Sequence, residues 1–364
     1  MTVAATKIIH GGNIISMAKR LGCRIDELVD LSSNLTPFGM VPGLREAISG
    51  HLDEIGFLPE TGSQTLRDLF AAGFDMQGED QVLVGNGTTE FIFAVPAALH
   101  PGRAIIINPT YSDYHLACKW AGVPVSNFDL AAVTDFSIDL AKLGGVLYGG
   151  ELVFICNPNN PTGALVPTGE LHAFIKKHKS TLFLVDESYL PFVDEQSLLT
   201  RKSCDNLLVL SSFSKIYGIP GLRLGFLSAP GALLKKMSVQ RKPWGVNRVA
   251  QIAGEFLIAN GEEYADRVRK FVAEERPRVI GELKKISGIR TIDGVTNFIL
   301  CHLDCKARAD QLWRKMVEEK IMIRNCATFT GLDNRYFRMS LKEVDTNDKC
   351  LSVLKKAMQE LEMD

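Results

Sequence analysis

Residues 208–226 read LVLSSFSKIYGIPGLRLGF. The run starts as an apolar strand pattern, continues into serines and Lys215, and ends in a Gly/Pro-rich loop with Arg223. Lysine is costly to desolvate, so it is rarely placed at the mouth of a buried strand without a specific role. The run therefore predicts either a functional site or an ordinary buried strand followed by a basic surface turn.

The chemistry of these side chains favours an aldehyde cofactor that carries a phosphate. A lysine amine in a low-dielectric site can form a Schiff base with an aldehyde. Serine hydroxyls and the fixed cation of Arg223 suit a phosphate. Together with Lys215 they indicate pyridoxal 5′-phosphate (PLP), while the run alone leaves the purely structural interpretation open.

The totals are those of an ordinary globular protein. The length of 364 residues suggests two domains, and a content of 46% hydrophobic and 23% charged residues is ordinary for a soluble globular protein. A net charge of −1 argues against nucleic-acid binding, which needs a basic face. No apolar run approaches the roughly 20 residues that span a bilayer. The first nine residues carry one lysine and no long apolar core, so we expect no signal peptide and a cytoplasmic location.

The eight cysteines are spread thinly through the chain. Without a signal peptide, this pattern predicts free thiols in a reducing compartment. Cys301, His302 and Cys305 lie close in sequence, but no second Cys/His pair stands nearby to complete the four ligands of structural zinc. We therefore expect no metal site.

Apolar strand patterns alternate with helix patterns through the first two thirds of the chain. The strands are predicted at 81–84, 103–108, 151–156, 181–185, 206–210 and 224–228. This alternation predicts a mainly parallel sheet with helices on both faces. A ligand of such a sheet binds at the carboxyl ends of the strands.

After residue 241 the pattern changes to that of a smaller α+β domain. Its predicted helices cover 246–260, 262–286, 307–319 and 346–361, and its predicted strands cover 297–303, 321–324 and 336–340. We expect three parts. Residues 1–44 form an N-terminal segment that packs with the small domain and covers the active site, 45–245 form the large PLP-binding domain, and 246–364 form the small domain.

Polar side chains follow the predicted strands where a cofactor would bind. Asp186 ends a buried strand, and a buried carboxylate needs a cationic partner such as the protonated pyridine nitrogen of PLP. Tyr111 can stack on the ring, and Asn160 and Tyr189 can donate to its O3′ atom. The expected phosphate contacts are backbone N–H groups near Gly87, Thr88 and Thr89, with Ser212, Ser214 and Arg223.

Four motifs, in this order, resemble those of the fold-type I PLP enzymes of the aminotransferase superfamily. They are NPNNPTG at 157–163, DESY at 186–189, SFSK at 212–215 and GLRLG at 221–225. The resemblance covers nearly the whole chain. It implies an α/β, fold-type I PLP-dependent transferase fold, in which a large domain with a mainly parallel seven-stranded sheet is joined to a smaller α+β domain. It also implies catalytic roles for Lys215, Asp186 and Tyr111.

Within that superfamily the chain is most similar to the threonine-phosphate decarboxylases of cobalamin biosynthesis, which are relatives of histidinol-phosphate aminotransferases. The resemblance rests on HGGN at 10–13, SN at 33–34, PWGVN at 243–247, IRNC at 323–326 and GLDNRYFR at 331–338. It implies decarboxylation of L-threonine O-3-phosphate to (R)-1-amino-2-propanol O-2-phosphate and CO2, by a homodimer. The substrate contacts that it implies are His10, Gly11, Asn34, Asn160, Arg324 and Arg338.

The sequence departs from many such relatives at Leu58, where a tyrosine before Pro59 would reach the phosphate in the partner subunit. Three other functions stay open at this point. One is a histidinol-phosphate-type aminotransferase, and another is a decarboxylase that prefers phosphoserine and gives ethanolamine phosphate. The third is a non-catalytic PLP-fold binding protein, against which the retention of Lys215, Asp186 and Arg223 argues.

Overall fold

The structure of the protein is a computed structural model that describes residues 11–76, 81–201, 204–238 and 242–363. The predicted substrate contact His10 lies outside the described residues. Among the described residues, no helix is both long and apolar enough to cross a membrane.

Helices and strands alternate through most of the described chain. The helices are α1 Ile14–Leu21, α2 Leu44–Ser49, α3 Gln64–Gly73, α4 Thr88–Leu99, α5 Asp113–Trp120, α6 Leu140–Gly144, α7 Thr168–Lys177, α8 Phe213–Ile216, α9 Gly231–Ser238, α10 Arg248–Asn260, α11 Glu262–Leu283, α12 Ala309–Glu318 and α13 Val344–Met363. The strands are β1 Val29–Asp30, β2 Val82–Asn86, β3 Arg103–Asn108, β4 Val125–Asp129, β5 Glu151–Cys156, β6 Leu182–Asp186, β7 Leu207–Ser212, β8 Leu224–Ser228, β9 Ile289–Thr291, β10 Phe298–Leu303, β11 Ile321–Met322, β12 Arg324–Asn325 and β13 Tyr336–Ser340.

The chain forms two compact units. The larger unit contains Leu35–Ala273 and Gly294–Thr296, and the smaller unit contains 11–34, Glu274–Asp293 and 297–363 among the described residues. These divisions fall at other residues than the expected boundaries after 44 and 245. The functional division into three parts stays a prediction.

Packing explains why α10 belongs to the larger unit. Its residue Ala250, with Val246 just before it, shares a hydrophobic cluster with Leu66 and Phe70 of α3. Gln251 of the same helix donates to the backbone oxygen of Glu60 over 2.8 Å. The sequence change that suggested a new domain at 246 therefore marks a helix that covers the large sheet.

The larger unit is built on a seven-stranded sheet with the order β2-β8-β7-β6-β5-β3-β4. Strands β3 to β7 pair in parallel, while β8 runs antiparallel to both β2 and β7. Every residue of β5 is buried, as expected for a strand that helices cover on both faces. The predicted mainly parallel, seven-stranded sheet is confirmed.

One strand of this sheet was missing from the predicted pattern. The segment Val125–Asp129 forms the edge strand β4, and its residues alternate between exposed and half-buried. An edge strand with one neighbour has no continuous apolar run to identify it. The resemblance implied seven strands, whereas the hydrophobic pattern had indicated only six.

The smaller unit has the α+β composition that the sequence predicted. Its main sheet is antiparallel, with the order β12-β13-β10-β9, and α12 packs against α13. The predicted strand at 321–324 is divided at Ile323. Residues before that point pair in parallel with β1, and residues after it pair with β13, so one apolar run serves two sheets.

Candidate active site

The parallel strands of the larger unit deliver their polar ends to one cavity. Cys156 at the end of β5 stands opposite Asp186 at the end of β6, and β7 ends at Ser212. The cavity has a volume of about 120 Å³. The cavity is lined by the predicted contacts of the PLP ring and aldehyde, which are Tyr111, Asn160, Asp186, Tyr189 and Lys215. It is also lined by predicted contacts of the PLP phosphate, which are Thr88, Thr89, Ser212, Ser214 and Arg223.

Asp186 is the buried carboxylate of this cavity. Its Oδ1 atom accepts from the Ser188 backbone N–H over 3.0 Å and from the Ser188 hydroxyl over 2.5 Å, and its Oδ2 atom accepts from the Tyr114 hydroxyl over 2.9 Å. Burial raises the pKa of Asp186, while Ser188, Tyr114 and the positive charge of Lys215 act in the opposite direction. A cation next to this carboxylate would offset the cost of burying it.

Lys215 lies in the one-turn helix α8, directly after β7. Its backbone oxygen accepts from the Thr36 N–H over 3.0 Å, which ties this turn to the segment before α2. The side chain is half-buried and lines the same cavity as Asp186. The arrangement places an amine and a carboxylate in one enclosed space.

Three further side chains line the cavity with rings and amides. The Asn160 amide donates to the Tyr189 hydroxyl over 3.4 Å, so the two polar groups that were predicted to share one ring oxygen do converge. Tyr111 stands edge-on to Tyr114, with ring centroids 5.7 Å apart. Burial, and then the nearby charge of Asp113, raise the pKa of Tyr111, so its hydroxyl keeps its proton at neutral pH.

Another part of the cavity wall is suited to an anion. Gly87 precedes α4 with φ 77° and lies so close to the Arg223 guanidinium that a Cβ atom on this glycine would collide with it. Arg223 itself adopts φ 59°, a left-handed conformation that is costly for a residue with a side chain. Thr88 and Thr89 line the same cavity from the first turn of α4, where backbone N–H groups have no partner within the helix.

Ser214 provides the sharpest indication of a ligand at that part of the wall. Its hydroxyl oxygen is buried and makes no hydrogen bond to any described residue. Such an orphan costs about 1–3 kcal/mol unless something pairs with it. The Ser214 hydroxyl, the N-terminus of α4 and the Arg223 guanidinium, which Gly87 allows to come close, together fit a phosphate group.

A second set of predicted residues belongs to the smaller unit. Arg324 and Arg338 are partners across the β12–β13 pair, and both are buried. Arg338 donates to the backbone oxygen of Ser32 over 2.8 Å, and the same oxygen packs against Gly11. Burial, and then the like charge of Arg338, lower the pKa of Arg324 to about 10. An anion beside these guanidinium groups would relieve both effects.

Asn34 belongs to the same unit. It is 2% exposed, and neither its side-chain oxygen nor its nitrogen forms a hydrogen bond within the described chain. An amide with both polar atoms buried and unused is rare in a folded protein. The predicted substrate contacts thus fall into two sets, with Gly11, Asn34, Arg324 and Arg338 in the smaller unit and Asn160 in the larger.

Sequence reasoning missed Tyr114, Ser188 and Cys156, which also line the cavity. Two signals were available. Ser188 follows Asp186 by two residues, the spacing at which a backbone N–H and an aspartate side chain form a local turn. Tyr114 follows Tyr111 by three residues, which places both rings on one side of the helix start.

The comparisons with known proteins agree with this geometry. The family model described as "Aminotransferase class I and II" matches residues 26–354. The chain belongs to this family. As a member of the class I/II aminotransferases it is a PLP-dependent enzyme. The cavity of the larger unit is the candidate site for that cofactor.

Relatives within the aminotransferase family carry two different names. The chain is 31% identical to "Threonine-phosphate decarboxylase" of Salmonella typhimurium over 96% of both chains. It is 29% identical to "Histidinol-phosphate aminotransferase" of Methanothermobacter thermautotrophicus over 96% of this chain and 94% of the relative. The crystal structure of L-threonine-O-3-phosphate decarboxylase from Porphyromonas gingivalis superposes with a TM-score of 0.83 at 27% identity, over 93% of this chain and all of that one.

Proposed function

We propose that this enzyme decarboxylates L-threonine O-3-phosphate to (R)-1-amino-2-propanol O-2-phosphate and CO2, in the aminopropanol arm of cobalamin biosynthesis. The observation that carries the proposal is the pair of buried guanidinium groups on neighbouring strands, Arg324 and Arg338. Phosphothreonine presents two anionic groups, a carboxylate and a phosphate. Arginine is the residue best suited to bind both kinds of planar or tetrahedral anion.

PLP is proposed to occupy the cavity of the larger unit, because its donors match the groups of the cofactor. Asp186 would face the pyridine nitrogen, Tyr111 the ring face, and Asn160 with Tyr189 the ring hydroxyl. The phosphate would lie against Thr88, Ser214 and Arg223, because Gly87 lets the Arg223 guanidinium come close and the Ser214 hydroxyl needs a partner. Lys215 would hold the cofactor covalently. Remaining proposed contacts are Thr89 and Ser212.

When bound, PLP withdraws electrons from the bond that breaks at Cα of the substrate. The protein decides which bond that is by orienting the substrate. Arg324 and Arg338 would hold the anionic groups of the substrate and so select the Cα–carboxylate bond as the one that breaks. Once the carboxylate had left as CO2, the Lys215 amine would supply the proton that replaces it at Cα.

Three further predicted substrate contacts, Asn34, Gly11 and His10, are proposed to bind the phosphate of the substrate. Asn34 supports this role because its buried amide has no partner within the described chain. Gly11 would bind the phosphate through its backbone, because it packs against the backbone oxygen of Ser32, the same oxygen that Arg338 contacts. His10 is proposed to join them on the strength of the sequence resemblance alone.

A second function, that of a histidinol-phosphate-type aminotransferase, is favoured by the relative of that name. The two reactions differ in their second substrate. A transaminase needs a keto acid to complete its cycle, whereas a decarboxylase needs only the phosphorylated amino acid. The same residues could serve either, because both substrates carry a phosphate.

Product analysis separates these candidates. The PLP-loaded enzyme is incubated with phosphothreonine, with phosphoserine, and with histidinol phosphate plus 2-oxoglutarate. We expect 1-amino-2-propanol phosphate from the first mixture and little glutamate from the third. Glutamate formation without amino-alcohol phosphate would instead establish the aminotransferase, and a preference for phosphoserine would establish the ethanolamine phosphate producer.

A further inference from the structure

The carboxylate of Asp186 is held by Tyr114, which lies outside the four sequence motifs, and by Ser188, to which the DESY motif assigned no role. Its Oδ2 atom accepts from the Tyr114 hydroxyl over 2.9 Å. Its Oδ1 atom accepts from both the backbone N–H and the hydroxyl of Ser188. Hydrogen bonds from these donors favour the ionised carboxylate over the neutral acid.

Tyr114 is fixed in place by its own packing. The side chain is 1% exposed and stacks on Phe154 of β5, with ring centroids 5.1 Å apart and planes inclined by 27°. Its other neighbour is Tyr111, which it meets edge-on. One ring therefore touches both Asp186 and Tyr111, the two residues proposed for the nitrogen and the face of the cofactor ring.

The chemistry of this tyrosine restricts it to one role. Burial, and then the negative charge of Asp186, raise the pKa of Tyr114 well above its ordinary value. The hydroxyl thus keeps its proton and points it at the carboxylate. The thiol of Cys156, whose pKa is raised by burial, stays neutral beside them and adds no competing charge.

We propose that Tyr114 is a positioning residue that keeps Asp186 ionised and aimed at the pyridine nitrogen of PLP. The inference rests on the proposed assignment of Asp186 to that nitrogen. It extends that assignment, because the capacity of PLP to withdraw electrons would then depend on the Tyr114 hydroxyl, which does not touch the substrate. Ser188 acts on the other carboxylate oxygen in the same sense.

The test is a double-mutant cycle on the dissociation constant of PLP, measured with the full chain and no amino-acid substrate. Tyr114→Phe removes only the hydroxyl, and we expect PLP to bind about tenfold more weakly. In the Asp186→Asn background the same substitution should change PLP affinity less than twofold, because the charge that the hydroxyl serves is gone. Ser188→Ala should weaken PLP in the same direction as Tyr114→Phe.

Tyr148→Phe is the matched control, since Tyr148 is 81% exposed and outside the cavity, and it should leave PLP affinity unchanged. Equal weakening by Tyr114→Phe in both backgrounds would show a general packing effect and overturn the proposal. Unchanged PLP binding in Tyr114→Phe would overturn it as well. Because no substrate is present, failure of the proposed decarboxylation would leave this result untouched.

Discussion

Gly87 and Arg223 meet where the structure prepares a space for an anion. Both residues adopt positive φ angles, and the guanidinium fills the space that a side chain on the glycine would need. A left-handed conformation costs a residue with a Cβ about 1–2 kcal/mol, and the collision with Arg223 would add to that. The absence of a Cβ atom at residue 87 therefore permits both the positive φ angle of the backbone and the position of Arg223 in the proposed binding site.

The first prediction concerns Gly87→Ala, which should weaken PLP binding at least tenfold by displacing Arg223. Gly122→Ala is the matched control, because Gly122 also has a positive φ, of 69°, but nothing within 4 Å of its added methyl group. Both variants should lose similar stability from backbone strain. Titration of PLP into each variant, followed by absorbance, checks the prediction, and equal PLP affinity in the two would refute it.

The second prediction concerns the arginine pair. Arg324→Gln and Arg338→Gln should each raise the KM for phosphothreonine about tenfold to a hundredfold, because a neutral amide cannot replace a charged donor to an anion. Arg314→Gln is the control, since Arg314 is 67% exposed and pairs with Asp310 on the helix surface. Steady-state kinetics measure the effect. A KM that rises no more in the pair than in the control would remove the arginines from the substrate site.

Three of the residues that sequence reasoning found, Lys215, Asp186 and Asn160, lie at or just after the end of a buried strand. Parallel strands bring their carboxyl ends to one edge, so the strand pattern alone could place Lys215, Asp186 and Asn160 together. The spacing of Tyr114 and Ser188 marks them as neighbours of Tyr111 and Asp186 but does not reveal their role, which depends on each side chain folding back onto Asp186. Such contacts follow from rotamers and helix orientation, which a linear pattern does not contain.

At the scale of elements, Glu151 joins several parts of the large sheet. Its carboxylate at the start of β5 accepts from Arg103 over 3.0 Å, from the Tyr148 and Gly149 N–H groups over 2.8 Å each, and from Thr181 over 3.1 Å. Burial acts to raise the pKa of Glu151, but these donors outweigh it and lower the pKa to about 2. The ionised carboxylate of Glu151 is therefore more stable in the folded protein than in the unfolded chain.

The third prediction follows from the sign of that shift. A depressed carboxyl pKa contributes stability above its unfolded value of 4.5, and this stability is lost as the pH falls from 4.5 toward 2. Glu151→Gln should cost about 2 kcal/mol at pH 7, because its NH2 group meets backbone donors, and should flatten the acid limb of the stability curve. Urea unfolding at several pH values measures both. The exposed Glu170→Gln should do neither, and an unchanged acid limb in Glu151→Gln would contradict the account.

The sequence pattern predicts strands well where every residue of the strand is buried. It predicts them poorly where a strand is half exposed or changes its pairing partner. The central strands each contain an unbroken run of four or more apolar residues, which predicts them from the sequence. The edge strand β4 alternates with solvent, and the run around Ile323 changes partner in mid-course. Both exceptions depend on which neighbour a strand finds, and this is a property of the tertiary structure.

At the scale of the molecule, the fourth prediction is that the enzyme is a homodimer, as its family resemblance implies. The segment before Pro59 exposes three large apolar side chains, Ile55 at 64%, Phe57 at 73% and Leu58 at 71%. An exposed apolar patch of this kind is typical of an interface. Leu58 would there replace the tyrosine of many relatives with a purely apolar contact.

Sedimentation equilibrium should give a mass of about 80 kDa, twice the 40.1 kDa of one chain. The double substitution Ile55→Ser and Phe57→Ser should raise the dimer dissociation constant at least tenfold. Val133→Ser is the control, because Val133 is 91% exposed but lies apart from that segment in sequence. A wild-type mass of one chain would disprove the dimer.

The measurement that tests the central claim most directly is the release of CO2 from carboxyl-labelled phosphothreonine, without any keto acid. The wild-type enzyme loaded with PLP should release labelled CO2 and 1-amino-2-propanol phosphate in equal amounts over many turnovers. Lys215→Ala should release none above background, because the amine that holds PLP and returns the proton to Cα is gone. Retention of the label in the amino acid by the wild-type enzyme, or undiminished release by Lys215→Ala, would contradict the account.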